Sequence, residues 1–185
     1  IEELGVADTA AAVAEMDLDD AVQVVEEMEP EDQRELLDAI PRGDRVLIEE
    51  ALAFPEDSAG RMMQREVMTV PETWTVGEAI DFMREAADNE KLAETLPEVF
   101  YDVYVVDPAR RPLGTIPLSR LMRSRRPVPV ADIMNPKMEA IPATLDQEEV
   151  AFRFRQRDLV SAPVVDEAGR LVGAITIDDV VDVIH

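Results

Sequence analysis

The chain has 185 residues, 46% hydrophobic and 32% charged, which is enough for one domain or two small ones with a core in each. It has no cysteine, and its one histidine is the last residue, His185, so disulfides, thiolate metal sites, cysteine nucleophiles and histidine-based sites lack the residues they need. No apolar run approaches the roughly 18 residues of a membrane span, and no signal peptide is visible.

The formal charge of −23 is distributed unevenly. Residues 1–60 hold 19 acidic and 3 basic side chains (net −16), residues 61–130 hold 11 and 10, and residues 131–185 hold 11 and 5. Binding to a phosphate backbone needs clustered Lys and Arg, so this balance argues against DNA or RNA as a partner. The charge in the first third indicates a separate domain whose function involves negative charge, with a solvated acidic surface as the plain alternative.

The first third of the chain carries a repeat of twelve. Three sets of residues keep this spacing: Leu4, Met16, Met28 and Ile40; Asp8, Asp20, Asp32 and Asp44; and Val13, Val25 and Leu37. Each unit predicts a short helix with an acidic first turn, where the helix dipole favours carboxylates, and Pro30 and Pro41 suit first helical positions. One such helix cannot bury its apolar face alone, so we expect the units to stack into a small superhelix.

From residue 61 onward a longer unit occurs twice, and a constant offset relates the two copies. In each copy an apolar strand ends in Asp107 or Asp166, and a turn, an apolar-Gly-apolar strand and a helix follow. An extended piece and an amphipathic helix precede each copy: Val67–Val70 and Thr75–Ala87, then Met138–Ile141 and Asp146–Arg157. Thr75 and Glu78 have the spacing of a capping box. The predicted unit is therefore strand–helix–strand–strand–helix, present twice.

This unit resembles the cystathionine-β-synthase (CBS) domain, and the two copies resemble a tandem CBS pair. The strand ending in Asp, the apolar-Gly-apolar strand and the Thr176-x-x-Asp179 helix start carry the resemblance. More narrowly, four segments resemble MgtE-type magnesium transporters: FPEDSAGRMM at 54–63, DIMNPK at 132–137, DQEEVA at 146–151 and TIDDVVDVI at 176–184.

The resemblance implies an α+β fold in which a short-helix superhelical N domain precedes two tandem CBS domains. The N domain would occupy residues 1–60 and be shortened at its start, and the CBS domains would occupy residues 61–126 and 127–185. A membrane domain, absent here, would follow. The chain would then lie at the cytoplasmic face of the cell membrane as part of a longer protein, and CBS pairs associate as homodimers.

The second copy is the candidate nucleotide site. In nucleotide-binding CBS domains the motif's Asp takes the ribose hydroxyls, and its Thr, with the helix N-terminus, takes phosphate. The resemblance therefore implies that four residues bind ATP or another adenine nucleotide: Thr176, Asp179, Pro163 and Val164. The alternative is an ordinary capping box on a core strand. Pro117 and Arg120 replace Thr and Asp in the first copy, so a nucleotide should prefer the second.

Acidic residues are the candidate metal ligands. Mg²⁺ takes oxygen ligands and keeps several waters, so one or two carboxylates per ion suffice, and sequence spacing alone cannot specify such a site. The resemblance places regulatory Mg²⁺ ions between the N domain and the CBS pair and between the CBS halves. The matching acids are Asp20, Asp146, Glu148, Asp158, Asp179 and Asp182. A solvated face is the alternative for each, and for Asp146 a helix cap.

Two functions follow as hypotheses. The first is a Mg²⁺-sensing regulatory region of an MgtE-type channel or transporter, in which Mg²⁺ bridges the acidic N domain and the CBS surfaces, drives closure and gates the membrane pore. The second is an adenine-nucleotide-binding CBS module that regulates an enzyme or another transporter. An enzyme is the weakest hypothesis, because catalytic histidine, cysteine and a Gly-rich phosphate loop are missing.

Overall fold

The computed structural model describes residues 5–184. The chain divides into two compact units, Ile1–Glu56 and Asp57–His185. The first unit is helical and the second combines helices with strands, which confirms the predicted α+β fold class.

The first unit is built from helices that begin every twelve residues. They are α1 (Val6–Ala14), α2 (Leu18–Glu26), α3 (Pro30–Ala39) and α4 (Arg42–Leu52). The third residue of each is an aspartate, as the repeat predicts: Asp8, Asp20, Asp32 and Asp44. Pro30 opens α3, whereas Pro41 precedes α4 as its N-cap and not as its first helical residue.

Alternate helices pack together in this unit, α1 against α3 and α2 against α4. Val13 and Val25 are fully buried in the core, and Ile40 joins them, while Leu37 is partly buried. Met16, in register with Ile40, is 41% exposed, so this register does not face the core in every repeat. Leu4, the first member of the register, lies outside the described residues.

The second unit contains the repeated strand–helix–strand–strand–helix arrangement. The first copy comprises α5 (Ala59–Met62), β1 (Thr69–Pro71), α6 (Val76–Glu85), α7 (Glu90–Ala93), β2 (Asp102–Val106), β3 (Pro112–Pro117) and α8 (Leu118–Arg123). The second comprises α9 (Val130–Ile133), β4 (Ile141–Pro142), α10 (Gln147–Arg157), β5 (Ser161–Val165), β6 (Leu171–Thr176) and α11 (Ile177–Ile184).

Each copy forms a three-stranded sheet, β1-β2-β3 or β4-β5-β6, whose first pair is parallel and second pair antiparallel. The predicted capping box is present at α6, where Thr75 Oγ1 accepts from the Glu78 amide and Glu78 Oε1 accepts from the Thr75 amide. The predicted extended pieces are shorter than expected, because β1 begins only at Thr69 and β4 holds only Ile141 and Pro142.

The segment leading into each copy packs on the sheet of the other copy. Residue Gln64, just after α5, exchanges backbone hydrogen bonds of 2.8 and 2.9 Å with Ala174 in β6. Asn135, just after α9, does the same with Thr115 in β3. A Cβ on the neighbouring Gly173 would lie 2.6 Å from the Gln64 carbonyl oxygen, which explains why the middle residue of the apolar-Gly-apolar strand is glycine.

Candidate functional site

Thr176 is the last residue of β6, and Asp179 lies in the first turn of α11, which follows at once. Thr176 is 6% exposed, and its amide and hydroxyl donate to the same Asp179 oxygen, Oδ2, at 3.0 and 3.2 Å. Burial raises the pKa of Asp179, the charges of Asp178 and Asp182 add to the rise, and the two Thr176 hydrogen bonds oppose it. The pair is therefore a preorganised hydroxyl and carboxylate at a helix N-terminus.

Pro163 and Val164 lie in β5 as buried strand residues. Val164 pairs with Gly173 on one side and Ile141 on the other, and Pro163 pairs with Ala174. Both residues therefore have the core-strand role that the sequence gives as an alternative to lining a nucleotide site.

The first copy has different chemistry at the equivalent positions. Pro117 is the N-cap of α8 and makes no side-chain cap bond. The Arg120 guanidinium donates to the backbone oxygen of Ile133 at 3.2 Å. The first copy therefore has a guanidinium and a pyrrolidine ring where the second copy has a carboxylate and a hydroxyl.

A cleft lies beside Thr176, between the two copies. Its volume is about 20 Å³, and both copies contribute to its wall. The polar residues on the wall are Gln64, Glu66, Asp102, Tyr104, Ser161 and Thr176. It has room for about one water molecule, far less than a nucleobase needs. Asp179, Pro163 and Val164 are not among the residues that line it.

The acids that the resemblance selects lie in four places: on α2, at the start of α10, at its end and on α11. Asp20 belongs to the first turn of α2 in the first unit. Asp146 caps α10, where its Oδ1 accepts from the Glu148 amide at 2.9 Å. Asp146 therefore has the helix-cap role that the sequence gives as an alternative to metal binding. Asp158 ends the same 11-residue helix in a left-handed conformation, about 16 Å from its start.

Asp179 and Asp182 form a second pair, one turn apart on α11. Within residues 5–184, no group of three or more His, Cys, Asp or Glu side chains is close enough to hold a metal ion. The structure thus offers carboxylates singly and in pairs, and the metal assignments stay predictions.

Sequence reasoning missed what Asp107 and Asp166 do. The Oδ1 atom of Asp107 accepts from the amides of Ala109 and Arg111, and Oδ2 accepts from the Arg111 side chain. The repeat predicted that the two aspartates are equivalent, but only the folded turn shows that their carboxylates are hydrogen-bonded within it.

A hydrogen-bonded chain across the two copies was also missed. Ser161 Oγ donates to Asp102 and therefore accepts from the Tyr104 hydroxyl, at 2.7 Å. Asp102 and Ser161 occupy equivalent positions, because the offset between them is the same as that between Asp107 and Asp166. That shared offset is the sequence signal from which a contact between these two residues could have been predicted.

None of the described helices is both long and apolar enough to span a membrane.

Comparison with known families agrees with this architecture. Residues 59–126 and 130–185 match the CBS domain, and residues 1–57 match the MgtE intracellular N domain. The fold and site thus define a tandem CBS-domain chain preceded by a helical N domain. The chain belongs to the MgtE family of magnesium transporters.

Curated relatives include two proteins named magnesium transporter MgtE. The one from Thermus thermophilus is 40% identical over 169 residues, an alignment that covers 91% of this chain and 36% of the relative. The one from Bacillus subtilis is 30% identical over 184 residues and covers 100% of this chain and 39% of the relative. The chain therefore spans less than half the length of these relatives.

Similar solved structures cover the same region. The soluble part of a magnesium transporter is 30% identical, with a TM-score of 0.78, covering 99% of this chain and 69% of that one. The cytosolic domain of the Mg²⁺ channel MgtE, solved in complex with ATP, is 35% identical, with a TM-score of 0.77, covering 97% and 76%.

Proposed function

We propose that the chain is the Mg²⁺-sensing regulatory region of a magnesium transporter, with no catalytic activity of its own. The observation that carries the proposal is the charge of the helical domain. Residues 1–60 have three basic side chains for 19 acidic ones, so most of their carboxylates cannot be neutralised from within this region.

The donor chemistry fits the ion. Asp20, Asp146, Glu148, Asp158 and Asp182 are exposed, and all are oxygen donors, which Mg²⁺ prefers. The absence of a three-acid cluster among the described residues suits an ion that keeps several waters and uses one or two carboxylates.

The regulatory step follows from electrostatics. A domain of net −16 and a CBS pair of net −7 repel each other, and salt screens this repulsion only beyond about 8 Å. Each bound Mg²⁺ supplies two positive charges. An ion that is shared by carboxylates of both parts favours the compact form. The size of this shift is set by how much more tightly the ion binds the compact form than the open form. We propose that this closure gates a membrane domain, at the cytoplasmic face of the membrane.

Small-angle X-ray scattering tests the proposal. The radius of gyration should fall with MgCl₂ well below its value in NaCl of matched ionic strength. The double change Asp146→Asn/Glu148→Gln should weaken the response, and Glu167→Gln, an exposed acid in a turn, serves as the matched control. A chain that lacks residues 1–56 should no longer compact. Equal responses to the two salts would refute the sensor, and ATP hydrolysis by the purified chain would refute a non-catalytic role.

A homodimer through the CBS pair is part of the proposal. Three apolar side chains on α10 and α11 are exposed, namely Phe152 (49%), Val181 (44%) and Ile184 (46%). Burying such side chains against a second copy is favourable. Sedimentation of a Val181→Asp variant should show a monomer where the parent chain shows a dimer, and a parent chain that sediments as a monomer contradicts this part.

Adenine-nucleotide binding is the second candidate function. It is supported by the preorganised Thr176–Asp179 pair and by the ATP complex of the relative that is 35% identical. Calorimetry with ATP should show binding that Thr176→Val or Asp179→Ala weakens at least tenfold. The control is Arg120→Ala, the equivalent position in the first copy, which should have little effect. Binding that is insensitive to all three changes would place any nucleotide elsewhere.

A further inference from the structure

The two copies differ most in the connection between their first helix and their second strand. In the second copy three residues, 158–160, join α10 to β5. In the first copy the much longer segment 86–101 joins α6 to β2, and it includes the short helix α7. Three residues suffice for this connection in the second copy, so the extra residues of the first copy are not needed to join its helix to its strand.

The extra segment forms one wall of the cleft beside Thr176. Pro97, Val99 and Phe100 line this cleft. Val99 is 63% exposed, so it lies at the rim. The opposite walls are formed by strands, where Tyr104 and Ala174 are buried.

The segment is held mainly by side chains. Leu96 and Phe100 pack on the core of the first copy, while the backbone hydrogen bonds from Thr95 to Leu92 and from Leu96 to Ala93 are local. The backbone of the segment is tied to another element at its last residue, where the Tyr101 carbonyl oxygen accepts from the Leu118 amide at 2.9 Å. A wall of this kind can move without breaking a sheet.

The end of the segment is fastened to the second copy. The Tyr101 hydroxyl donates to Asp178 Oδ2 at 3.0 Å, and this bond raises the pKa of Tyr101. Asp178 precedes Asp179, so this hydrogen bond lies next to the candidate nucleotide site. The second copy has Val160 at the position equivalent to Tyr101, and valine cannot make such a bond.

We propose that residues 86–101 form a lid on the cleft between the CBS halves, held shut by the hydrogen bond between Tyr101 and Asp178. In the described state the cleft admits about one water molecule, so an adenine nucleotide enters only when the lid opens. The identity of that ligand rests on the second proposed function; the lid itself does not.

Thiol labelling tests the lid without any ligand. The chain has no cysteine, so Ala174→Cys places a single thiol in the cleft wall, and Ala151→Cys, at a buried position of α10, reports on opening of the whole fold. The probe is an aromatic disulfide reagent. Adding Tyr101→Phe should accelerate labelling at position 174 about two- to tenfold, the effect of losing one hydrogen bond, and leave position 151 unchanged.

A second variant removes the lid itself, so that the test does not depend only on the hydrogen bond between Tyr101 and Asp178. Residues 86–101 are replaced by Asp-Leu-Val, the sequence of residues 158–160 that makes this connection in the second copy, and labelling at position 174 should then rise further. Unchanged labelling at 174 in both variants, or an equal rise at 174 and 151, would overturn the lid.

The same assay separates the lid from the nucleotide. ATP should slow labelling at position 174 more strongly in the Tyr101→Phe chain than in the parent. If the variants accelerate labelling at position 174 but ATP slows labelling in none of the chains, the lid is supported and nucleotide binding is refuted.

Discussion

Asp107 and Asp166, at equivalent positions of the two copies, make the same set of hydrogen bonds. Each Oδ1 accepts from two turn amides at 2.8–2.9 Å, and each Oδ2 accepts from the side chain of an arginine four residues on. The arginines, Arg111 and Arg170, are therefore equivalent as well. The same geometry, repeated within one chain, shows that these carboxylates build the turns.

Replacing this carboxylate should destabilise the second unit in a pH-dependent way. The turn amide of Arg170 is the main cause of the lowered pKa of Asp166. A lowered pKa gives stability that is complete above the ordinary Asp value, near 4, and is lost as pH falls through the folded value. Asp166→Ala should therefore lower the melting temperature at pH 7, with a smaller difference at pH 3. Glu167→Ala, in the same turn, is the control; an equal loss there would contradict the assignment.

The two turns have different residues at their position of positive φ. Arg110 and Gly169 occupy equivalent positions with positive φ, 63° and 77°. Only glycine adopts this conformation without cost, so Arg110→Gly should stabilise the fold by up to about 1 kcal/mol and Gly169→Ala should destabilise it by about 1 kcal/mol. Urea unfolding measures both. Gly43→Ala, in a helix with open space around it, should be neutral or favourable. Loss of stability on Arg110→Gly would show that its side chain matters more than its backbone.

Asp179 should cost stability at neutral pH. Its pKa is raised, chiefly by burial, so ionisation is less favourable in the folded than in the unfolded chain, and the penalty is complete above the folded pKa. Asp179→Asn should raise the melting temperature at pH 7, and this gain should vanish as pH falls below the ordinary Asp value. Asp166→Asn should behave in the opposite way at pH 7. A lower melting temperature for Asp179→Asn at pH 7 would mean that the charged bond to Thr176 outweighs burial.

The chain of Asp102, Ser161 and Tyr104 should show coupled energetics. Burial raises the pKa of Tyr104, so its hydroxyl stays protonated and donates to Ser161. Ser161→Ala leaves that buried donor unpaired and should cost about 1–3 kcal/mol, whereas Tyr104→Phe removes the donor and should cost about 1 kcal/mol. In a double-mutant cycle by urea unfolding, the double variant should cost less than the sum of the two changes. Simple additivity would mean that a water molecule replaces either partner.

Local patterns in the sequence predicted most of the fold. The twelve-residue repeat placed Asp8, Asp20, Asp32 and Asp44 in the first turns of their helices, because both the apolar spacing and the helix dipole act within one helix. The capping box at Thr75 is equally local. Neither needs knowledge of distant contacts.

The candidate site was less predictable, since it depends on which elements meet. Thr176 and Asp179 are three residues apart, and their pairing could be predicted from that spacing. In the cleft wall Gln64 is hydrogen-bonded to Ala174, and Tyr101 is hydrogen-bonded to Asp178. These partners are far apart in the sequence, so no local pattern predicts them. Carboxylate ligands for Mg²⁺ are harder still, because water completes the coordination and the spacing is free.

The exchange of leading segments between the two copies has a consequence for synthesis. A ribosome delivers Gln64 long before Ala174, its backbone partner in β6. The first copy likewise lacks Asn135 on β3 until the chain has passed α9. Such contacts between distant residues slow folding, and the halves of the pair cannot mature one after the other as independent domains do. Each CBS sheet is completed by the other half's leading segment, so the pair folds as a single cooperative product only after both halves have been synthesised.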